Sequence, residues 1–272
     1  PMTPDKYPDY IFDVSWDSMN MRGERALQLL AEHDSMTVEQ ALAISTDVYD
    51  LLAKPWQKAL EAAIAAAGQE YMEDPDYETA VEAMRAWDGN YLPESKGAPI
   101  MKFWRLRCQG AVDVQAIANE AELGAEDLAK MAELLEETVD ELKQTFGTID
   151  LAWGDVHVVG RGDIYAGCGG DNFGGGANST TTLRSVTYRE NKELGGKHVA
   201  YKGSFAMMLM FMYPDGVKSY SVVSWGNSSD PESPHYMDQG RELFGPLKLK
   251  ETYFQKADLL NNVKSEKVIA LP

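Results

Sequence analysis

At 272 residues, 44% of them apolar, the chain can bury a sizeable core, as one large domain or two modest ones. Its formal net charge of −18 argues against nucleic acid as a partner, because phosphate binding needs clustered Lys and Arg. A membrane span is argued against too, since the longest apolar run, 205–213, is only strand-sized.

The N-terminus, Pro1-Met2-Thr3-Pro4-Asp5, has no basic start followed by an apolar core, so it does not read as a signal peptide. A start at Pro1 suggests a processed chain or a piece of a longer one. From Ser18 to Glu32 the residues Ala26, Leu27, Leu29 and Leu30 form one helical stripe. Thr37 and Gln40 have the spacing of a capping box that opens the next helix. Trp56, Leu60, Ala63, Ile64 and Ala67 then recur with helical period, and Gly68 can stop them. The clearest helix carries Leu128, Met131, Ala132, Leu135, Val139, Leu142 and Phe146 on one face and ends at Gly147. Its outward Glu133, Glu136, Glu137 and Asp140 read as a solvated face.

After Asp150 the pattern changes, dividing the chain into a mainly helical part, 1–150, and a β-rich part, 151–272. Val156–Val159, Leu183–Tyr188 and Val199–Lys202 read as short strands between Gly- and Asn-rich loops. Next comes a strand with Phe205, Met207, Leu209 and Phe211 on one face and Ala206, Met208, Met210 and Met212 on the other. Apolar residues on both faces predict a sheet covered on both sides. Pro214-Asp215-Gly216 supplies the turn to a returning strand, Val217–Ser224.

Several residue groups invite a chemical reading. The glycine-rich run 167–176 lacks the Gly-Lys-Ser/Thr of a phosphate loop and reads as a flexible surface loop. Ser204, His235 and Asp238 can be drawn as a triad, but no nucleophile elbow surrounds Ser204, and His235 reads better as a hydrogen-bonded turn residue. His33, His157, His198 and His235 lack the spacing of a zinc site. Asp88 and Glu94 offer paired carboxylates, although a helix end followed by a loop explains them more simply. Cys108 and Cys168 either pair in an oxidising compartment or stay free and buried.

The segment Tyr201–Gln239 carries a longer pattern: Gly203-Ser204-Phe205, then Asp215-Gly216, Ser219-Tyr220-Ser221-Val222 and Ser233-Pro234-His235-Tyr236 with Asp238-Gln239. It resembles the closing segment of the penicillin-acylase family of N-terminal-nucleophile hydrolases. Met21-Arg22-Gly23-Glu24-Arg25-Ala26, Met84-Arg85-Ala86-Trp87-Asp88-Gly89 and Trp153-Gly154-Asp155-Val156-His157 are similar to further elements of that family, in the same order. The resemblance implies an α+β fold with four-layer αββα architecture, to which this chain supplies a helical part and sheet strands.

The resemblance also implies a chemistry. Family precursors are exported and cleave themselves, and the new N-terminal serine attacks an amide with its own α-amino group as base. An asparagine side chain and a backbone N–H stabilise the oxyanion. On this reading the nucleophile and the oxyanion asparagine lie outside the chain, which by itself is inactive. Arg25 takes the place of an arginine that supports the asparagine, with Arg22 as rival. No cofactor is expected; a structural calcium is possible, with Asp9 or Asp13 in the matching region. The implied partners are a small acyl-amide substrate (an acyl-homoserine lactone, a β-lactam or a lipopeptide) and the remaining acylase segments, namely the small chain and the N-terminal part of the large chain. The implied location is periplasmic or secreted. A non-catalytic binding or assembly domain is the alternative.

Overall fold

The structure is a computed structural model and describes residues 21–68, 72–174, 176–204 and 206–269. Helix α1 spans Met21–Ala31 and buries none of its residues. In α2, Val38–Ser45, the capping box forms: the Gln40 N–H donates to Thr37 Oγ1 at 3.2 Å, and the Thr37 N–H donates to Gln40 Oε1 at 2.8 Å. Helix α3, Ala53–Ala67, buries Trp56, Leu60 and Ala63 and ends at Gly68 with φ of 89°. Asp74 caps α4, Pro75–Ala86, by accepting from the Asp76 N–H at 2.8 Å, and Pro75 pre-sets the first turn.

Helix α5, Ala98–Cys108, has no counterpart among the sequence-predicted elements. It starts from Gly97, whose φ of 77° and close approach to the Ala83 carbonyl leave no room for a Cβ. It is buried nearly all round, Lys102 and Arg105 included, so it shows no amphipathic stripe. A short α6, Val114–Ala118, leads to α7, Ala125–Phe146, which ends at Gly147 with φ of 78° as its sequence predicts. The Trp104 indole donates to the Met131 carbonyl at 2.8 Å and ties α5 to α7. These helices share one core around Trp56, Leu60, Trp104, Met131 and Leu135.

A single turn, α8, Trp153–Val156, replaces the start of the first expected strand. The strands β1, His157–Arg161, β2, Ile164–Gly167, β3, Val186–Asn191, and β4, Lys197–Gly203, form a sheet of order β2-β1-β4-β3. In it β1 and β4 run parallel and the other pairs antiparallel. A second, antiparallel sheet follows with order β5-β6-β7, from Ala206–Tyr213, Gly216–Val223 and Lys250–Thr252. Val159, Val186 and Ala200 of the first sheet and Val222 of the second share a smaller core with Cys168 and Phe244. A short α9, Lys256–Asn261, lies near the C-terminus. The chain is α+β.

Two expectations need correction. Strand β5 is not covered on both sides: Met207, Leu209 and Phe211 are half-buried, whereas Met208, Met210 and Met212 are 58, 51 and 84% exposed. The glycine-rich run is no surface loop where it begins, because 168–171 is fully buried. The outward face of α7 is solvated as expected, with Glu133, Glu136, Glu137 and Asp140 all exposed, and there Glu137 pairs with Arg107 at 2.8 Å and Glu133 with Lys130 at 2.8 Å. Of the alternatives for the cysteines, the structure shows the second, with Cys108 and Cys168 both free and buried.

Candidate functional site

Helix α1 meets the rest of the chain through Met21, packed against the helical core, and through its two arginines. Arg25 forms a bidentate pair with Asp47, Nε to Oδ1 at 3.0 Å and Nη2 to Oδ2 at 2.8 Å, with side chains 19 and 13% exposed. Such a fork fixes the guanidinium plane as well as its charge. The Tyr49 ring lies 4.7 Å below the guanidinium. The Asp47 hydrogen bond raises the Arg25 pKa further above its ordinary value, and burial raises that of the Tyr49 phenol. Arg22, the rival, donates instead to the Leu183 carbonyl at 3.0 and 3.2 Å. One residue further on, the Arg184 N–H donates to the Asp47 carbonyl at 2.9 Å. Segment 47–50 is thereby clamped between α1 and the loop before β3.

Directly behind it runs a seam of buried charge. Asp50 pairs with Arg105, accepts from the Tyr91 hydroxyl at 3.1 Å and caps the Leu52 N–H at 2.8 Å. Arg105 also donates to the Ser179 carbonyl at 2.9 Å, and Asn178 donates to the Arg105 carbonyl at 2.9 Å. One helical turn earlier, Lys102 meets Asp171 at 2.7 Å, and Thr180 donates to the same carboxylate. The ammonium sits 5.1 to 5.8 Å from the rings of Trp153, Phe173 and Tyr188. Burial raises the Asp171 carboxyl pKa against the pull of Lys102. Arg184 donates to the Gly169 and Phe244 carbonyls at 2.8 and 2.6 Å. Removing one partner of such a pair leaves an uncompensated buried charge. The seam therefore pins both arms of the glycine-rich loop against α5.

Beside the seam, His157 is fully buried and stacked on Trp153, with ring centroids 3.5 Å apart and planes within 8°. Neither ring nitrogen has a hydrogen-bond partner within normal range. Burial, reinforced by Lys102, pushes its pKa well below the ordinary histidine range. The same causes bring His198, 5.2 Å away, down to about 4. Both imidazoles are neutral near pH 7.

The drawn triad does not assemble. His235 Nδ1 and Asp238 Oδ2 are 2.7 Å apart, which supports the turn role, but Ser204 enters none of their contacts. That loop hangs on Arg161, which donates to the Ser228 carbonyl and to the Tyr236 carbonyl at 2.5 Å while lying 3.9 Å over the Tyr236 ring. Asp88 binds the Asn90 N–H and side-chain amide at 2.9 and 3.0 Å and does not pair with the exposed Glu94. Burial pushes the Cys108 thiol up to about 12 and raises that of Cys168, so neither is an activated nucleophile. Among the described residues no three His, Cys, Asp or Glu side chains are placed to hold a metal, and no helix is long and apolar enough to cross a membrane. Asp9 and Asp13 lie outside the described residues.

Sequence reasoning missed Asp47, Lys102, Asp171 and Arg161. The only signal for Lys102 is a cation inside the apolar run Pro99-Ile100-Met101, and nothing local marks the other three.

An α+β chain with an anchored arginine helix, a buried ionic seam and an S-P-H-Y-x-D-Q loop defines a class of protein rather than a reaction. The chain matches the penicillin amidase family over residues 1–259 and belongs to it. Among solved structures it is similar to a thermostable penicillin G acylase from Alcaligenes faecalis, at 15% identity and a TM-score of 0.41. The match covers 98% of this chain and 55% of that one, so the chain spans little more than half the length of this relative.

Proposed function

We propose that the chain is part of an acylase that hydrolyses the amide bond of an N-acylated small molecule, with the nucleophilic N-terminal serine supplied by a segment outside this chain. Membership of the penicillin amidase family over residues 1–259 carries the reading. The Arg25 cradle agrees with it: a guanidinium locked by Asp47 and Tyr49 is a rigid donor, suited to holding an oxyanion asparagine in place. The open Met208, Met210 and Met212 face of β5 is where further layers of an αββα core would pack. The substrate classes we favour are acyl-homoserine lactones and acylated lipopeptides, then β-lactams, and export to the periplasm or medium belongs to the same proposal. No cofactor is required; a structural calcium near Asp9 or Asp13 remains part of the proposal.

Amide hydrolysis tests this, with a long-chain acyl-homoserine lactone and a chromogenic phenylacetyl anilide as substrates. The chain alone is compared with a form extended by the sequence that precedes Pro1 in its gene. Activity in the extended form only, after self-cleavage at a serine, is the expected result. Activity in the short form would overturn the placing of the nucleophile, and none in either form would favour the binding or assembly alternative. In the active form Arg25→Lys should lower kcat by about tenfold or more with a smaller change in KM, because a single ammonium cannot reproduce the fork.

A further inference from the structure

A cleft of about 420 Å³ opens between α5, α7 and the β3–β4 turn, away from both the Arg25 cradle and the His235 loop. That volume suits a small organic molecule. Its apolar lining is Phe103, Leu106, Leu142 and Phe146. Its polar lining is more telling. Arg107 has both terminal nitrogens engaged, by Glu137 at 2.8 Å and Glu141 at 2.7 Å, so its charge is already answered. Glu190, exposed on β3, has no ion-pair partner among the described residues. Of the two remaining polar groups, Thr145 is an uncharged hydroxyl, and His198 is neutral near pH 7 and stacks edge-on against Phe103 at 5.3 Å. The lining therefore keeps an unanswered negative charge above aromatic and aliphatic surface.

The wider field has the same sign. Residues 1–150 hold 30 acidic against 12 basic side chains, while 151–272 hold 13 of each, so the whole net charge of −18 lies in the part that carries α5 and α7. An anionic ligand would be repelled at long range and would find no free cation in the cleft. We propose that this cleft binds a primary organic ammonium ion carried on an apolar body, with Glu190 as counter-ion and the Phe103 and Phe146 rings as walls.

Titration of the chain with phenethylammonium chloride tests this, with 2-phenylethanol and phenylacetate as uncharged and anionic comparators. The expected result is saturable binding of the ammonium at millimolar concentration, weakened by added salt, with the His198 ring resonances shifting in step. The alcohol should bind several-fold more weakly and phenylacetate not at all. Glu190→Gln, an exposed change with no ion pair to break, should weaken the ammonium about threefold or more at unchanged melting temperature. The proposal is overturned by no saturable binding, by alcohol or carboxylate binding as tightly as the ammonium, or by unchanged affinity in the Glu190 variant.

Discussion

Two neutral imidazoles make part of this molecule's stability acid-sensitive. His157 and His198 face each other beside the Lys102 ammonium, and burial is the larger cause of both depressed pKa values. In the unfolded chain each recovers an ordinary value near 6.5. Between that value and the folded value of about 4 for His198, the unfolded state binds a proton that the folded state refuses. Stability is therefore intact above about 6.5, falls as the pH drops through this window, and His198 adds no further loss below its folded pKa. The full effect of His198 is roughly 3 kcal/mol. His157, deeper and with its pKa lowered further, extends the loss to lower pH. Melting temperatures of the native chain and His198→Gln, measured from pH 7.5 down to about 4, check this. The variant should lose less on acidification, and parallel curves would show that His198 does not carry the linkage.

Among the elements, α5 organises the rest. Its inner turns deliver Lys102 to Asp171, Arg105 to Asp50 and Trp104 to the carbonyl of Met131 on α7. Its direction is set by Gly97, whose left-handed backbone and contact with the Ala83 carbonyl turn the chain sharply after α4. Gly97→Ala should cost roughly 2–4 kcal/mol, from the left-handed conformation together with the clash. Urea unfolding would show this as a lower midpoint at unchanged slope. A cost below 1 kcal/mol would mean that the turn relaxes elsewhere. The contrast with α7 explains what could be read from the sequence. α7 has water on one side, so its apolar period, its acidic outer face and its Gly147 stop are all visible. α5 is enclosed, and burial on every side erases the period by which a helix is recognised. The hairpin β5–β6 was legible from its alternation and from Pro214-Asp215-Gly216; β2 and β7, at four and three residues, are too short to show a period. For the candidate site, Arg25 was found only by resemblance. Asp47 lies 22 positions away, and such a pairing is a property of the fold that leaves no local pattern.

At the scale of the whole molecule the uneven finish of the surface is the main fact. The helical part carries the entire net charge and is well solvated. The second sheet instead presents Met208, Met210 and Met212 to water beside a β5 edge that no strand among the described residues pairs. Opposite these methionines stand Ser221, Ser219 and Val217, none of them exposed and Ser219 fully buried, so the open surface here is that of the methionine stripe itself. An apolar stripe on an edge strand is both a docking surface and an association hazard. Because methionine is flexible and polarisable, the stripe can adapt to whatever covers it. The chain by itself should therefore bind a hydrophobic dye and sediment as more than a monomer. Replacing Met208, Met210 and Met212 together by Ser should abolish both behaviours. The three side chains point into water, so their loss should change stability by only about 0.5 kcal/mol each. In the proposed acylase the same triple variant should behave oppositely, failing to assemble with the proposed remaining segments, since its methionines would then belong to a buried layer. A monomeric native chain without dye binding, or a triple variant that still assembles fully, would show that this face is a solvent surface after all.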